Sequence, residues 1–386
     1  MSDWLTIGFV ESITEIDACA WDALVTPNEP FTEHAFLALL EESGSVGPKE
    51  TGWEPRHVTV YAGDQLVGAL PLYVKTQSFG EYIFDWQWAE ASQRSGIPYY
   101  PKLVSAVPFT PVTGRRLLVH PEAPWGEVVD ALLAGVRHAA NRVGAWSIHF
   151  LFCTEAEQEA LAARGFLPRS SLQFHWRRSG DWTDFDGFVG SFRAKSRKQV
   201  RRERRIARAG GAVLGMEAGA QLSEADWQAV AAAYYATTER KWGRPYLNAR
   251  FWELLAERMG HRIQVATARV EGEITSSALF FSRGKHLYGR YWGGCAPTDM
   301  LHFELCYYLP IEWALEQGLE LFEAGAQGAH KLKRGLMPTR CASAHWLRHP
   351  GLGDAVKRFL VEEDLEIRQN IQRLTAHGPF RVDVRD

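Results

Sequence analysis

The sequence has few cysteines, and their spacing argues against the sites that cysteine clusters build. Its 386 residues include five, Cys19, Cys153, Cys295, Cys306 and Cys341. They form no CxxC pair and stand in no His-rich cluster, so we expect neither a disulfide framework nor a zinc site. No histidine pattern accompanies them as a catalytic partner, so covalent cysteine catalysis is not expected. We predict an activity that uses no metal.

The chain also lacks a long hydrophobic run and a strong excess of one charge. No apolar stretch reaches the roughly 18 residues that a membrane-spanning helix needs. Residues 1–21 lack the basic start and apolar core of a signal peptide. The formal net charge of −3 gives no whole-chain preference for nucleic acid or a membrane surface. We therefore expect a cytoplasmic protein without a membrane span, and the oligomeric state is not predicted.

Three common catalytic and nucleotide-binding motifs are missing as well. The sequence contains no GxSxG elbow, no Walker loop and no GxGxxG after a strand. An acyl-enzyme serine hydrolase, a P-loop nucleotidase and a dinucleotide-binding enzyme are therefore not favoured. Direct attack by an acceptor on an activated donor is the simpler chemistry.

An internal repeat is the strongest feature that is present. Arg164–Pro168 followed by His175–Trp176 recurs as Arg334–Pro338 followed by His345–Trp346, with the same interval in both copies. A helix ending in glycine and a short strand precede each copy. Because self-similarity of this kind marks duplicated units, we predict two copies of one α/β unit.

Length and composition agree with two domains. A chain of 386 residues with 46% hydrophobic residues can bury two cores. A polar, glycine-containing connection at 179–186 marks the boundary. We predict an N-terminal domain at 1–180 and a C-terminal domain at 181–386, the latter carrying a basic helix and the active cleft.

The basic helix begins the second copy. Between Arg193 and Arg208 lie nine basic residues and one acid, Glu203. At about 100° per residue, one side of the helix carries Ser196, Val200, Glu203 and Ala207. Arginine and lysine cover the other side, where like charges three and four residues apart destabilise the helix. This basic side therefore indicates a polyanionic partner, with a merely solvated surface as the alternative. Candidate contacts to a donor's phosphates are Arg197, Lys198, Arg201 and Arg202.

Residues 284–346 contain the acidic, basic, histidine and tyrosine side chains of the second copy that could take part in catalysis. The candidate catalytic residues are Glu323, His302, Tyr291, Glu304, His330 and Lys331. A carboxylate, imidazole, phenol and ammonium in one pocket can deprotonate an amine nucleophile and stabilise an oxyanion, which is acyl transfer to an amine. Structural alternatives stay open: Glu304 fits a solvated helix face, His302 could cap a helix, and the cations could form an exposed turn.

A further set of residues is predicted to bind substrate or donor. In the second copy these are Tyr288, Arg290, Trp292, Gln327, Gly328 and Arg334. An aromatic-basic loop adds Trp242, Arg244 and Tyr246. In the first copy, the Trp-, Tyr- and Pro-rich segment 86–114 contributes Tyr100 and Lys102. The composition of that segment fits a functional loop and, equally well, a structural segment whose aromatic side chains only fill space in the protein.

Several phrases in the sequence resemble a bacterial family of predicted N-acyltransferases. These are LYGRYWG, LHFELCYY and FEAGAQGAHKLKRG, with SRKQVRRERR upstream and YYPKLVSAVPFTPVTG in the first half. The family was formerly labelled a peptidoglycan biosynthesis/recognition domain and lies within the GNAT superfamily. The resemblance covers residues 4–380 and extends distantly to Fem-type aminoacyltransferases. It implies an α/β fold of two tandem GNAT-like units, each a mixed central sheet flanked by helices.

The resemblance also implies an activity, namely transfer of an acyl or aminoacyl group to a primary amine of a peptide, amino acid or cell-wall precursor. The GNAT pyrophosphate motif is not cleanly matched before His302, which puts acetyl-CoA in doubt as donor. The donors left open are an acyl-CoA or acyl-carrier thioester and an aminoacyl-tRNA; tRNA or a carrier protein would then be a partner. The alternative function is a non-catalytic module that binds tRNA or an anionic precursor through the basic helix.

Overall fold

A computed structural model describes residues 4–47, 51–242, 245–294, 299–326 and 328–381, without the side chains of 239–242. The chain divides into two compact units. Unit 1 comprises residues 1–171 and 340–368, and unit 2 comprises residues 172–339 and 369–386. Each unit is therefore built from two separate stretches of chain.

Unit 1 contains most of the first repeat. Its strands are β1 (Leu5–Val10), β2 (Glu54–Pro55), β3 (His57–Ala62), β4 (Gln65–Leu70), β5 (Tyr73–Lys75), β6 (Lys102–Ser105), β7 (Leu118–Val119), β8 (Ser147–Cys153) and the start of β9 (Leu167–Arg177). Its helices are α1 (Ala18–Asp22), α2 (His34–Glu42), α3 (Trp86–Arg94), α4 (Trp125–Arg142) and α5 (Glu155–Ala162). A 3-10 turn spans Ile13–Glu15.

Two groups of strands flank the core of unit 1. Strands β1, β3, β4 and β7 pair in that order and are antiparallel. The order β2, β5, β6, β8 forms a second, mixed group in which β6 and β8 are parallel. Helix α4 packs closely on the first group: a Cβ added at Gly135 would stand 2.6 Å from the Val58 side chain. Such close approach requires glycine at that position.

Unit 2 follows the same plan. Its strands are β10 (Val213–Ala218), β11 (Ile263–Val270), β12 (Glu273–Arg283), β13 (His286–Gly294) and β14 (Leu321–Glu323). Its helices are α6 (Phe185–Gly190), α7 (Ala194–Arg208), α8 (Glu224–Trp242), α9 (Ala249–Met259), α10 (Leu301–Phe303) and α11 (Leu309–Glu316). A π-helical turn spans Glu304–Tyr308, and 3-10 turns span Gly219–Gln221, Gly260–Arg262 and Ala329–Arg334. The strands pair in the order β10, β11, β12, β13, β14, β9, with β13 and β14 parallel.

The repeated segments form the last strand of each copy and are exchanged between the units. The end of β9, which closes the first repeat, pairs with β14 of unit 2, with His175 opposite Glu323. β15 (Met337–Leu347), which closes the second repeat, pairs with β8 of unit 1, with His345 opposite His149. This pairing is why 340–368 groups with the first half of the chain, whereas the sequence suggested a simple division at 180/181.

The repeat and the mixed sheets agree with the sequence analysis. The last helix of the chain's described part is α12 (Pro350–Ala376). The aromatic segment 86–114 differs from its prediction as one long loop, because it begins with α3. Within the described part of the chain, every helix is too short or too polar to cross a membrane.

Candidate active site

Two parallel strands of unit 2 pair briefly and then separate. β13 and β14 are in register only from His286–Tyr288 against Leu321–Glu323. β14 ends there, whereas β13 continues to Gly294. On its other side, β13 contains a bulge: Gly289 pairs with Phe280 and Tyr291 pairs with Leu279, which leaves Arg290 as the extra residue. A bulge bends its strand, so it helps to open the space beyond the paired residues.

A cavity of about 110 Å³ occupies this opening. β13 contributes Gly289 to Trp292, and the start of the turn after β14 contributes Ala324 and Gly325. The remaining polar wall comes from the helical segment between the two strands, namely His302, Cys306 and Tyr307. Four predicted site residues therefore share this cavity: Arg290, Tyr291, Trp292 and His302.

The π-helical turn determines which helical side chains reach the cavity. Residues five apart lie on different faces of an α-helix, but the wider π turn brings them closer together. The rings of His302 and Tyr307 accordingly lie 5.6 Å apart, and His302 also meets the Trp292 ring at 5.2 Å. π turns inside helices are frequent at functional sites. Here the turn places an imidazole and a phenol on one wall.

His330 joins this aromatic group from the following 3-10 turn. Its Nε2 lies 3.0 Å from the Tyr307 hydroxyl, and its ring is 6.0 Å from that of His302. Burial raises the pKa of Tyr307, so its hydroxyl stays protonated at neutral pH. The pair can hold or pass a proton, depending on the tautomer of His330.

A buried acid lies under these two turns. Glu203, the single acid of the basic helix α7, accepts a hydrogen bond from the Tyr308 hydroxyl and another from Arg334 Nη2 at 2.9 Å. Arg334 in turn donates to the His330 carbonyl at 2.8 Å and covers the Phe303 ring at 3.3 Å. Because one carboxylate holds both turns, Glu203 fixes the segments that carry Tyr307 and His330.

Lys331 lies below the turn that follows β14. It is 2% exposed, and its ammonium donates to the Gly325 carbonyl at 2.6 Å. Burial lowers the pKa of Lys331 to about 8. Gly328, immediately before the 3-10 turn Ala329–Arg334, has φ of +116°, a conformation that favours glycine. The buried Lys331 ammonium thus holds the Gly325 carbonyl of the turn that follows β14.

Glu304 lies in an ion-pair network. It is fully buried and accepts hydrogen bonds from Arg204 and Arg208, while Arg204 also binds Glu312. The alternative interpretation, in which Glu304 belongs to a solvated helix face, is wrong because its side chain is fully buried. Glu304 and Glu312 instead neutralise arginines of α7. This geometry favours a structural role for Glu304 over the predicted catalytic one.

Glu323 is buried at the last paired position of β14. Its Oε2 lies 3.8 Å from Nε2 of His175 on the neighbouring strand, and it immediately precedes the cavity residues Ala324 and Gly325. Burial lowers the pKa of His175 to about 3, so that imidazole is neutral at physiological pH. Glu323 therefore stands beside the cavity wall, next to a neutral imidazole whose Nε2 lies 3.1 Å from Gln173 Oε1.

Helix α7 presents the basic face that the sequence predicts. Val200, Glu203 and Ala207 are buried, as the helical period indicated. The opposite side lines a groove of about 380 Å³ with Ala194, Arg197, Lys198, Arg201, Arg202 and Arg205. All four predicted phosphate-binding residues are in this groove.

The remaining predicted residues lie apart from the cavity or outside the description. Tyr288 is buried, with its hydroxyl 3.1 Å from His286 Nδ1, and the Tyr246 amide donates to the Tyr234 hydroxyl at 3.2 Å. Tyr100 and Lys102 belong to unit 1. The Arg244 backbone and side chain, Gln327, and the side chain of Trp242 lie outside the described residues.

The sequence analysis missed Tyr307 and Cys306 as cavity residues and Glu203 as the support of the turns. A π turn leaves no periodic signal in a sequence, so no pattern placed Tyr307 and Cys306 beside His302. The signal for Glu203 was present, since it is the one acid among nine basic residues and faces the apolar side. The described residues contain no group of three or more His, Cys, Asp or Glu arranged to hold a metal ion.

Comparisons with known proteins agree with this fold. The FemAB-like family, described as peptidoglycan biosynthesis/recognition, matches residues 12–382. FemX is 15% identical over 91% of this chain and 100% of its own, with a TM-score of 0.52. The C-terminal DUF2156 domain of a candidate lysylphosphatidylglycerol synthetase from Agrobacterium fabrum is 12% identical, over 92% of this chain and 97% of its own, at 0.53. A tandem GNAT protein from the clavulanic acid biosynthesis pathway is 14% identical over 90% of this chain and 99% of its own, at 0.45.

At such identities these likenesses concern the fold alone. The predicted fold class, α/β with two tandem GNAT-like units of mixed sheet and flanking helices, is confirmed. No curated protein matches the chain.

Proposed function

Because the chain belongs to the FemAB-like family of peptidoglycan biosynthesis and recognition proteins, we propose that it is an N-acyltransferase. It would move a fatty acyl or aminoacyl group from an activated thioester or ester to a primary amine. The acceptor would be a peptide, an amino acid or a cell-wall-type precursor. One observation carries the proposal: the cavity between the separating strands β13 and β14 has an imidazole and two phenols on its wall.

The opening between two parallel strands suits an extended donor. Where β13 and β14 no longer pair with each other, an inserted amide-containing chain can hydrogen-bond to strand edges, as in other strand additions. The reactive carbonyl would then lie in the cavity. The phosphates of a CoA, a carrier phosphopantetheine or a tRNA would bind the basic groove of α7, through Arg197, Lys198, Arg201 and Arg202.

The transfer needs an unprotonated amine and a stabilised oxyanion. The amine nitrogen attacks the carbonyl carbon to form the C–N bond, and the C–S or C–O bond of the donor breaks. His302 on the cavity wall, or Glu323 beside it, accepts the proton of the amine. Backbone N–H groups of Gly325, Ala326 and Gly328 and the Lys331 ammonium are proposed to stabilise the oxyanion. Tyr291, whose pKa is raised by burial and which is therefore protonated, donates to the leaving group.

The donor can be identified by mass spectrometry of ligands that remain on the purified protein. The retained compound, or in its absence acyl-CoA, acyl-carrier and aminoacyl-tRNA in turn, then serves as donor in a transfer assay. His302→Ala and Glu323→Gln are compared with the exposed controls His261→Ala and Glu320→Gln. We expect a loss of roughly 10²- to 10⁴-fold in kcat for the residue that accepts the proton and little change for the controls. Wild-type turnover in both site variants would remove the proposed mechanism.

The basic groove supports a second function, a non-catalytic module for tRNA or an anionic precursor. Its exposed face carries five basic residues along one helix. Binding of tRNA that weakens steeply with salt would indicate phosphate contacts. Such binding without transfer from any of the three donor classes would favour this alternative.

A further inference from the structure

Unit 1 contains an aromatic pocket that the proposed transfer does not use. Its volume is about 530 Å³, and its lining residues are Trp86, Ala89, Glu90, Gln93, Ile97, Pro98, Tyr99 and Tyr100. Three of these are aromatic, one is a carboxylate, and none of the residues that line it is basic. We propose that this pocket binds an organic ammonium cation.

One wall of the pocket is a face of helix α3. Trp86, Glu90 and Gln93 are spaced by four and three residues, so they lie on the same side of the helix. Trp86 is 55% exposed and stacks on Phe84 at 4.2 Å between ring centroids. A large aromatic side chain left this accessible beside an acid offers both a ring face and a negative charge to a ligand.

The opposite wall, Tyr99 and Tyr100, is anchored by a cluster of buried charges. Antiparallel pairing of β5 and β6 sets Lys75 directly opposite Lys102. Like charges in this position repel each other. Two acids from the connecting segment 76–101 compensate them: Lys102 Nζ lies 2.8 Å from Glu81 and 2.5 Å from Asp85. The lysines thus hold the segment that carries the pocket.

Both tyrosine hydroxyls are turned into this cluster. The Tyr99 hydroxyl donates to Asp85 at 2.6 Å, and the Tyr100 hydroxyl bonds Ser78 at 2.8 Å. Ser78 also accepts a bond from Lys102 at 2.8 Å. The hydroxyls are therefore occupied, so the two side chains contribute their rings to the pocket, Tyr99 with 5% of its surface exposed. Lys102 Nζ lies 5.8 Å and 5.7 Å from the Tyr99 and Tyr100 ring centroids, so it already contacts these rings from inside the protein.

The charges favour a cation over other ligands. An anion would meet Glu90. The nearby cations are Arg94, which lies 3.9 Å from Glu90 in an exposed i,i+4 pair, and Lys102, whose charge Glu81 and Asp85 balance. An exposed pair of this kind is weak, so Glu90 still attracts a ligand cation. A purely apolar ligand would gain nothing from Glu90. An alkylammonium group combines a cation for the carboxylate with methyl or methylene groups for the rings, as in aromatic cages.

The test compares choline with 3,3-dimethyl-1-butanol, its neutral carbon isostere, by calorimetric titration of the full-length chain. We expect choline to bind at least roughly five-fold more tightly, the ratio for about 1 kcal/mol of cation–π and charge attraction. Glu90→Gln and Trp86→Ala should each weaken choline binding by a similar factor. Tyr100→Phe keeps the ring and should retain binding.

Matched controls use residues of unit 1 outside the pocket. Glu122→Gln and Trp125→Ala should leave choline binding unchanged, and thermal unfolding verifies that each variant is folded. Equal binding of choline and its isostere would overturn the proposal, as would choline binding that Glu90→Gln and Trp86→Ala leave intact, or no choline binding at all. A neutral sugar binding in place of choline would likewise overturn it. These readouts need no turnover, so they stand or fall separately from the acyl-transfer proposal.

Discussion

Glu203 offers the sharpest test of how the active-site turns are held. It is 6% exposed and accepts hydrogen bonds from the Tyr308 hydroxyl and from Arg334, which is itself 3% exposed. Gln199 donates to its other oxygen at 2.8 Å. Glu203→Gln keeps the shape and an acceptor oxygen but removes the negative charge. The guanidinium of Arg334 then stays buried without its counter-charge.

The size of the effect follows from that unpaired charge. Removing one partner of a buried ion pair costs about 3–5 kcal/mol, and the retained acceptor places this substitution near the lower value, about 3 kcal/mol. For a domain of 150–250 residues that corresponds to a fall of roughly 6–12 °C in the unfolding midpoint. Glu312→Gln is the matched control, because Glu312 also pairs with an arginine of α7 but is 29% exposed. Its loss should be below about 1 kcal/mol.

Thermal unfolding followed by circular dichroism gives the two midpoints. Hydrogen exchange then locates the change: amides of 301–309 and 329–334 should exchange faster in Glu203→Gln, because Glu203 holds both turns. Equal midpoints for the two variants, or unchanged exchange in these segments, would show that the buried carboxylate does not fix the turns.

Three further outcomes test the basic groove, the buried lysine and the cavity. Replacing Arg197 and Arg201 by glutamate should reduce the slope of log affinity for tRNA against log salt by about 0.9 for each lost phosphate contact. The unfolding midpoint should stay unchanged. An unaltered slope would exclude the groove as the surface that binds tRNA phosphates. The pKa of Lys331 is lowered from 10.5 to about 8, so between these values the unfolded state binds more protons and stability rises with pH. Subtracting the Lys331→Met profile from the wild-type profile of unfolding free energy should reveal this rise, about 3 kcal/mol in full, and a flat difference would contradict it. Tyr307→Phe removes the hydroxyl bonded to His330 and should lower kcat roughly 10²-fold while the unfolding free energy falls by less than about 1.5 kcal/mol; unchanged kcat would exclude the hydroxyl from proton transfer.

Much of the fold could be predicted because it follows from local periodicity. The buried side of α7, Val200, Glu203 and Ala207, was predicted from a turn of about 100° per residue. α3 was missed because its aromatic and polar residues lie beside a proline-rich stretch, and tertiary anchoring by Asp85 and Glu81 is invisible to a local pattern. The strand exchange was also not predictable, since nothing local specifies the partner of β9 or β15.

The candidate site was less predictable than the fold. The polar and aromatic side chains of 284–346 include Arg290, Tyr291, Trp292 and His302, and the structure brings these four to one cavity. Glu304 was selected by the same reasoning but faces the arginines of α7. The difference depends on a single π turn, which rotates the side chains of the helix relative to an ordinary α-helical wheel. A periodic reading of sequence cannot detect that rotation.

The repeat gives an independent reason to locate the transfer in unit 2. In each copy a helix ends at a glycine, Gly144 or Gly318, and a strand follows. When these two strands are aligned from the glycines, Leu151 of β8 corresponds to Gly325. The backbone carbonyl of each residue accepts a hydrogen bond from a buried cation. In unit 1 the cation is Arg116, whose Nε donates to Leu151 at 2.9 Å and whose Nη2 donates to Val112 at 2.8 Å. This guanidinium, 1% exposed, is held by backbone carbonyls on several sides.

The parallel pairing of β6 with β8 also runs one position further than the equivalent pairing in unit 2, to Ser105 opposite Phe150. In unit 2 the cation is the slimmer Lys331, the pairing stops at Glu323, and a cavity follows. The parallel strands thus stay paired one residue longer beside a guanidinium in the first copy and separate at a cavity beside an ammonium in the second, which favours unit 2 as the place where a donor can enter.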